Sequence, residues 1–232
     1  MEDVSGFHEE RYFPGKIQQH LYDTILTGTK ITEKLLHYGI PYRNSTLVYG
    51  APGTGKTQFA KYVAYKLNIP YAYINFSYLI RSYLGETARN IQKVFDYCKG
   101  MKCVLMLDEI DCIGMRRSRG SGSGGPEAEL NRTTISLMQC LDELASEQVI
   151  IAATNRKDQL DEALLRRFKN KEEFYIYDQV EELAMIQKFV DSIDIMELDQ
   201  DLIDYATQNH TQADTIDYLT ESLIQKILAL PD

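Results

Sequence analysis

Gly50-Ala51-Pro52-Gly53-Thr54-Gly55-Lys56-Thr57 matches G-x-x-x-x-G-K-[ST] in full, with Gln58 directly after it. Glycines at this spacing let backbone amides turn inward around phosphate oxygens, and a helix opened by the motif adds the partial positive charge of its N-terminus. Lys56 is long enough to reach β- and γ-phosphates, and the Thr57 hydroxyl is a ligand for Mg²⁺. Asp108 and Glu109 follow the apolar run CVLML. Such a pair can orient Mg²⁺ through Asp108 and polarise an attacking water through Glu109. Asn155 closes a second apolar run, and Arg166 and Arg167 stand side by side eleven and twelve residues later. Together these types point to nucleotide phosphate chemistry. A phosphate loop alone would also suit a small-molecule kinase.

These groups need a scaffold to bring them together. Runs of strand length at 45–50, 71–76, 103–108, 149–154 and 173–178 predict five strands. Several are apolar at nearly every position, as strands covered on both faces of a parallel sheet are. Helical patterns at 56–67, 86–98, 127–144 and 158–167 fall between them, the alternation of an α/β layered domain. Asp108 then ends a strand at the carboxyl edge of the sheet, where such sheets bind ligands. Beyond Asp178 the pattern is helical alone, at 179–190, 199–208 and 213–229. The expectation is a five-stranded parallel α/β phosphate-loop domain with an N-terminal helical segment over 1–177, and a small all-helical lid over 178–232. The Gly/Ser-rich RRSRGSGSGGPE reads as a flexible loop.

Composition narrows the partners. The 232 residues are 44% hydrophobic and 25% charged, ordinary for a soluble chain. No apolar run approaches the roughly 18 residues needed to span a membrane, and the polar start MEDVSGFHEERYFPG is no secretory signal. Net charge is −9, and between Asp178 and Asp204 many carboxylates face a single base, Lys188. That balance argues against nucleic acid as the main partner. Cys98, Cys103, Cys112 and Cys140 lack Cys-x-x-Cys spacing and neighbouring histidines, which speaks against zinc. Buried, reduced thiols in a cytoplasmic compartment are the expectation.

On these residues the chain resembles the AAA ATPase family, the protein-remodelling branch of the AAA+ superfamily, from about residue 35 to 230. VYGAPGTGKT is similar to its phosphate loop, LMLDEIDCI to its Mg²⁺ and hydrolysis segment, and VIIAATNRKDQLDEALLRRF to its second region of homology. The RRF ending looks most like the katanin- and spastin-like severing and disassembly branch. The resemblance implies Mg²⁺-dependent ATP hydrolysis in a ring, a hexamer, coupled to remodelling, unfolding or disassembly of a protein substrate. It makes Asn155 a sensor that positions the attacking water. It makes Arg166 and Arg167 arginine fingers that reach the next subunit's nucleotide, where a guanidinium stabilises developing charge. SYLGETARNIQKVF is similar to the first pore loop, so Tyr83 and Leu84 would grip a polypeptide. Arg116, Arg117 and Arg119 fall at the second pore loop. Apart from the resemblance, paired arginines near a helix end can simply complement its dipole, Asn155 can cap a turn and Tyr83 can pack locally.

The chain also departs from the family pattern. In QNHTQADTIDYL, Gln212 stands where the lid turn usually has Gly, and no arginine follows Arg167. The second-sensor arginine of clamp and helicase loaders is therefore missing. No recognisable recruiting domain precedes residue 16, so the expectation is an excised module, or an adaptor or partner protein that supplies targeting. Two competing classes are an ATP-driven nucleic-acid motor or loader, and an ATP-dependent scaffold for a partner. The acidic balance opposes the first; retention of Glu109 and the arginines opposes the second.

Overall fold

A computed structural model describes residues 4–82, 86–114, 126–144 and 146–230. The pore-loop candidates Tyr83, Leu84, Arg116, Arg117 and Arg119 lie outside these residues. The sheet comprises β1 (Asn44–Tyr49), β2 (Tyr71–Asn75), β3 (Val104–Asp108), β4 (Val149–Thr154) and β5 (Asn170–Glu173). Its order is β2-β3-β4-β1-β5 and every pairing is parallel. The helices are α1 (Lys16–His37), α2 (Lys56–Leu67), α3 (Phe76–Ser82), α4 (Thr87–Cys98), α5 (Pro126–Glu143), α6 (Glu162–Leu165), α7 (Gln179–Asp191), α8 (Gln200–Tyr205) and α9 (Gln212–Leu228).

The period of two along each strand explains why the central strands read as continuous apolar runs. Leu47, Leu105, Leu107, Ile150 and Ala152 pack with Ile91 and Phe95 of α4 and Leu137 and Leu141 of α5. Their sequence neighbours Val48, Val104, Met106, Ile151 and Ala153 pack with Leu21 and Ile25 of α1 and Phe59 and Val63 of α2. Both faces are covered, so neither can be polar. The α2 helix stops at Asn68, whose left-handed backbone (φ 52°) lets its amide cap the last turn.

The helices after β5 surround a third apolar cluster that includes Ile186, Phe189, Val190, Leu202 and Leu219. Their starts are written in the sequence. Asp178 accepts from the Glu181 amide and Asp199 from the Leu202 amide. Thr211 and Asp214 form a reciprocal capping box at the start of α9. This is the expected helical lid. Among the described residues, no helix is long and apolar enough to cross a membrane. None of the four cysteines forms a disulfide; Cys98, Cys103 and Cys140 are buried and Cys112 partly so.

Three expectations need correction. The fifth strand is not 173–178 but Asn170–Glu173, a charged edge strand with alternating half-burial. Charge on an edge discourages further pairing, and it also hides the strand from an apolar-run search. Phe174 belongs instead to the departure from the sheet; it is buried against Phe59, with ring centroids 5.3 Å apart. The helix expected over 158–167 reduces to α6, preceded by a 3-10 turn at Lys157–Gln159. Asp161 restarts the chain as N-cap by accepting from the Ala163 amide. Finally, α3 starts at Phe76, which was expected to end the second strand, and runs on where no helix was expected.

Candidate active site

Strand register brings the chemistry to one edge. Tyr49 pairs with Thr154 and Asn75 with Asp108, so the carboxyl ends of four adjacent strands meet beside the turn from β1 into α2. That turn requires glycine at two points. Gly50 adopts φ 137°, and a Cβ there would fall 2.0 Å from the Phe174 carbonyl oxygen; Gly53 adopts φ 79°, and its Cβ would meet the Thr211 hydroxyl at 2.6 Å. The first close approach seats the loop against the exit of β5. The second seats it against the start of α9, where the Ala213 amide donates to the Gly53 carbonyl at 3.0 Å. The lid therefore touches the phosphate loop directly.

Lys56 opens α2 and is 8% exposed. Its Nζ donates to the carbonyls of Gly50 (2.9 Å) and Ala51 (2.6 Å), and the Thr54 hydroxyl also donates to the Ala51 carbonyl (2.8 Å). Burial draws its pKa below the ordinary 10.5, and the nearby Asp108 and Asp111 charges oppose that fall. Among the described residues no carboxylate lies within ion-pair distance of Lys56. A nearly buried ammonium paired only with neutral oxygens is a cradle that an anion would complete. Gln58 is exposed on the first turn of α2, and Ala51 and Pro52 are exposed on the loop.

The Thr57 hydroxyl donates to Asp108 Oδ2 at 3.0 Å, across 51 positions of sequence. That bond unites the two halves of the expected metal site. Asp108 Oδ1 accepts from the Glu109 amide at 3.0 Å. Glu109 itself has a left-handed backbone, φ 56°, unusual for a residue with a long side chain. Strain of this kind, about 1–3 kcal/mol, concentrates where a side chain must be aimed. Asn155 is exposed immediately after β4 and lines a groove with Tyr49, Gly50, Ala51 and Lys157.

The arginine pair separates. Arg166 is largely exposed, at 78% of its side chain, and its ion-pair partner is Glu162 at 3.9 Å. Arg167 is bound into its own chain: Nη1 donates to the Ala163 carbonyl at 2.8 Å and Nη2 to Asp142 Oδ2 at 3.1 Å. Among the described residues, neither bonds to the phosphate loop.

Sequence reading missed several partners. The Tyr73 hydroxyl donates to Asp108 Oδ2 at 3.1 Å and accepts from Asn75 Nδ2 at 3.3 Å. Burial raises the Tyr73 pKa above its ordinary 10.0, so the phenol keeps its proton at neutral pH. The Thr154 hydroxyl donates to Asp111 Oδ1 at 2.7 Å and accepts from the Arg156 amide, which fixes the end of β4 beside the Asp108 segment. Only Thr154 and Asn75, which end their strands, carried a signal in the sequence.

Residues 46–176 match the ATPase family associated with various cellular activities, abbreviated AAA. The chain belongs to the AAA family. This AAA chain is 37% identical over 158 residues to an uncharacterised AAA family ATPase of Sinorhizobium fredii, covering 68% of this chain and 46% of that protein. It is 35% identical over 168 residues to the ATP-dependent zinc metalloprotease FtsH 3 of Symbiobacterium thermophilum, covering 71% and 25%. It is 36% identical over 168 residues to the proteasome-activating nucleotidase of Methanothermobacter thermautotrophicus, covering 71% and 39%. The AAA chain thus spans between a quarter and a half of the length of these relatives. AAA ATPases use ATP with Mg²⁺, and the donor set fits both. The Lys56 cradle suits phosphate, and the Thr57–Asp108 oxygen pair suits a hard cation.

Proposed function

We propose that the chain is the motor module of an AAA ring that hydrolyses ATP to unfold or remodel a protein substrate. The observation that carries this reading is the split of the site. Thr57, Asp108 and Glu109 converge beside Lys56 within one subunit, while Arg166 projects from it into solvent. A hydrolytic site whose arginine faces outward is complete only when a neighbour supplies that arginine.

In this reading, Gly50, Ala51, Pro52, Gly53, Thr54 and Gly55 wrap the phosphates with their backbone, and Lys56 contributes its charge. Gln58 follows Thr57 on the first turn of α2 and completes the nucleotide-binding set. Thr57 and Asp108 would hold Mg²⁺, which would supply positive charge against the phosphate oxygens. Glu109 takes a proton from the attacking water and Asn155 aligns it. Arg166 stabilises charge on the neighbouring subunit's transferring phosphate. Tyr83 and Leu84 are the substrate-gripping pair. The boundary near 177–178 separates a sheet domain from a lid with its own apolar cluster, and the Gly53–Ala213 hydrogen bond would transmit the state of the phosphate loop to the lid.

The names of the proteasome-activating nucleotidase and FtsH relatives support action on proteins rather than on nucleic acid. They also favour an unfolding role over the severing role of katanin-like proteins, for which the side-by-side arginines are the support. Recruitment of substrate would fall to an adaptor or to further domains. Four cysteines without a disulfide suit the reducing cytoplasm.

The test is ATP turnover with an unfolded polypeptide and, separately, with single-stranded DNA. Assembly of Glu109→Gln with ATP is followed by sedimentation alongside. Stimulation by polypeptide, with ATP-dependent ring formation, is the expected result. Stimulation by DNA alone, weakening steeply with salt, would replace this reading with a nucleic-acid motor.

A further inference from the structure

Two adjacent arginines need not do one job, and their surroundings here differ. Arg167 is held from three elements. Its guanidinium caps the last turn of α6 through the Ala163 carbonyl and pairs with Asp142 near the C-terminal end of α5. Its own carbonyl accepts from the Ser45 hydroxyl at 2.8 Å, at the start of β1. Asp142 is shared: Arg43, just before β1, donates from Nη1 to Asp142 Oδ1 at 3.1 Å and from Nη2 to the Asp142 backbone carbonyl. The Lys169 amide donates to both the Ser45 carbonyl and hydroxyl. The backbone on the C-terminal side of Arg166 is thereby bolted to β1 and α5, while the exposed Arg166 side chain meets only Glu162 of its own helix among the described residues.

We propose that Arg43, Asp142 and Arg167 form a clamp that positions Arg166 for the neighbouring subunit's nucleotide. Arg167 is then a positioning residue rather than a second finger. The inference rests on the trans-acting site proposed above. The physical argument is one of geometry and entropy. An exposed arginine on a four-residue helix has many conformations, and reaching a phosphate in another subunit selects few of them. Fixing the next residue by a carboxylate, a helix-end carbonyl and a strand-start hydroxyl narrows the arc over which Arg166 can swing. A carboxylate receiving two guanidinium groups is also a stronger anchor than a single exposed ion pair, because each charged hydrogen bond limits the freedom of the other. The clamp further joins the arginine to α5, so a displacement of that helix would shift Arg166.

The experiment measures kcat and KM for ATP of the whole chain for Arg166→Ala, Arg167→Ala, Asp142→Asn, Arg43→Ala and the Asp142→Asn/Arg167→Ala double variant. Each is then mixed with Glu109→Gln subunits, which bring an intact arginine but no hydrolysis of their own. The clamp predicts a loss of at least about 10³-fold in kcat for Arg166→Ala. It predicts a smaller loss, on the order of tenfold, for Arg167→Ala and Asp142→Asn, with KM nearly unchanged. The double variant should be no worse than the Arg167 variant alone. Added Glu109→Gln subunits should restore turnover at the clamp variants' own sites, since those sites are undamaged; a subunit that merely misfolds would not be rescued.

If Arg167→Ala is as damaging as Arg166→Ala while Asp142→Asn stays within twofold of wild type, Arg167 is itself a finger and the clamp is overturned. If the clamp variants are not rescued although Arg166→Ala is, their effect is structural and the clamp is again overturned. If Arg166→Ala keeps its activity and no mixture complements, the trans-acting site itself fails.

Discussion

Asp108 is the residue on which the site turns, because one of its oxygens accepts from both Thr57 and Tyr73. Losing the Tyr73 hydroxyl leaves the bonds from Thr57 and the Glu109 amide in place but removes one of the two hydroxyls that hold Oδ2. A hydrogen bond to a charged group at a partly exposed position is worth on the order of 1 kcal/mol. Tyr73→Phe should therefore lower kcat within about tenfold and raise the Mg²⁺ concentration giving half-maximal turnover. A Mg²⁺ titration of ATPase activity reads both, and unchanged Mg²⁺ dependence would remove Tyr73 from the site. Gly50 makes a sharper case. Gly50→Ala puts a methyl group 2.0 Å from the Phe174 carbonyl oxygen at φ 137°. The backbone must move, at a cost of at least about 2 kcal/mol. Thermal unfolding without nucleotide should fall by several degrees, and ATP affinity should fall with it. A stable variant that binds ATP normally would show that the loop has more room than its close approach allows.

Elements show where sequence reading succeeds and where it fails. The β1–α2 turn was legible because its whole function lies within eight consecutive residues. Strands β3 and β4 were legible because burial on both faces leaves them apolar almost throughout, and β1 and β2 by their shorter apolar runs at 47–49 and 71–74. Strand β5 was not: NKEE has no apolar signal, and the more strand-like segment after it is the path into the lid. Tyr73, Asp142 and Arg43 escaped for a related reason. Their partners lie 35, 25 and 99 residues away, at distances no local pattern encodes. The lid carries its own testable element. Glu182 on α7 is 2% exposed; one carboxylate oxygen accepts from the Thr215 hydroxyl of α9 and the other has no partner among the described residues. Burial raises its pKa from the ordinary 4.5. A carboxyl whose folded pKa exceeds its unfolded one costs nothing below pH 4.5, and its penalty grows until pH passes the raised value. Glu182→Gln keeps an acceptor for Thr215 without the charge. Its stability should gain on wild type as pH climbs from 4.5 towards neutrality. Chemical denaturation at several pH values checks this, and a difference that stays flat with pH would contradict it.

At the scale of the whole molecule, the central claim is that no subunit is catalytically complete. The phosphate loop, Asp108 and Glu109 converge within one chain, while Arg166 stands exposed. Assembly then becomes a condition of chemistry rather than an accompaniment to it, and nucleotide bound between subunits would favour the ring by mass action. The acidic charge of −9 also leaves the surface better suited to protein partners than to nucleic acid. The most direct measurement is ATP turnover per subunit over a wide range of protein concentration, for wild type and for Arg166→Ala. The account predicts turnover that rises with concentration to a plateau in wild type. The variant should still bind ATP but turn it over about 10³-fold more slowly at every concentration. Turnover independent of concentration, surviving loss of Arg166, would mean a self-contained site and would contradict the account.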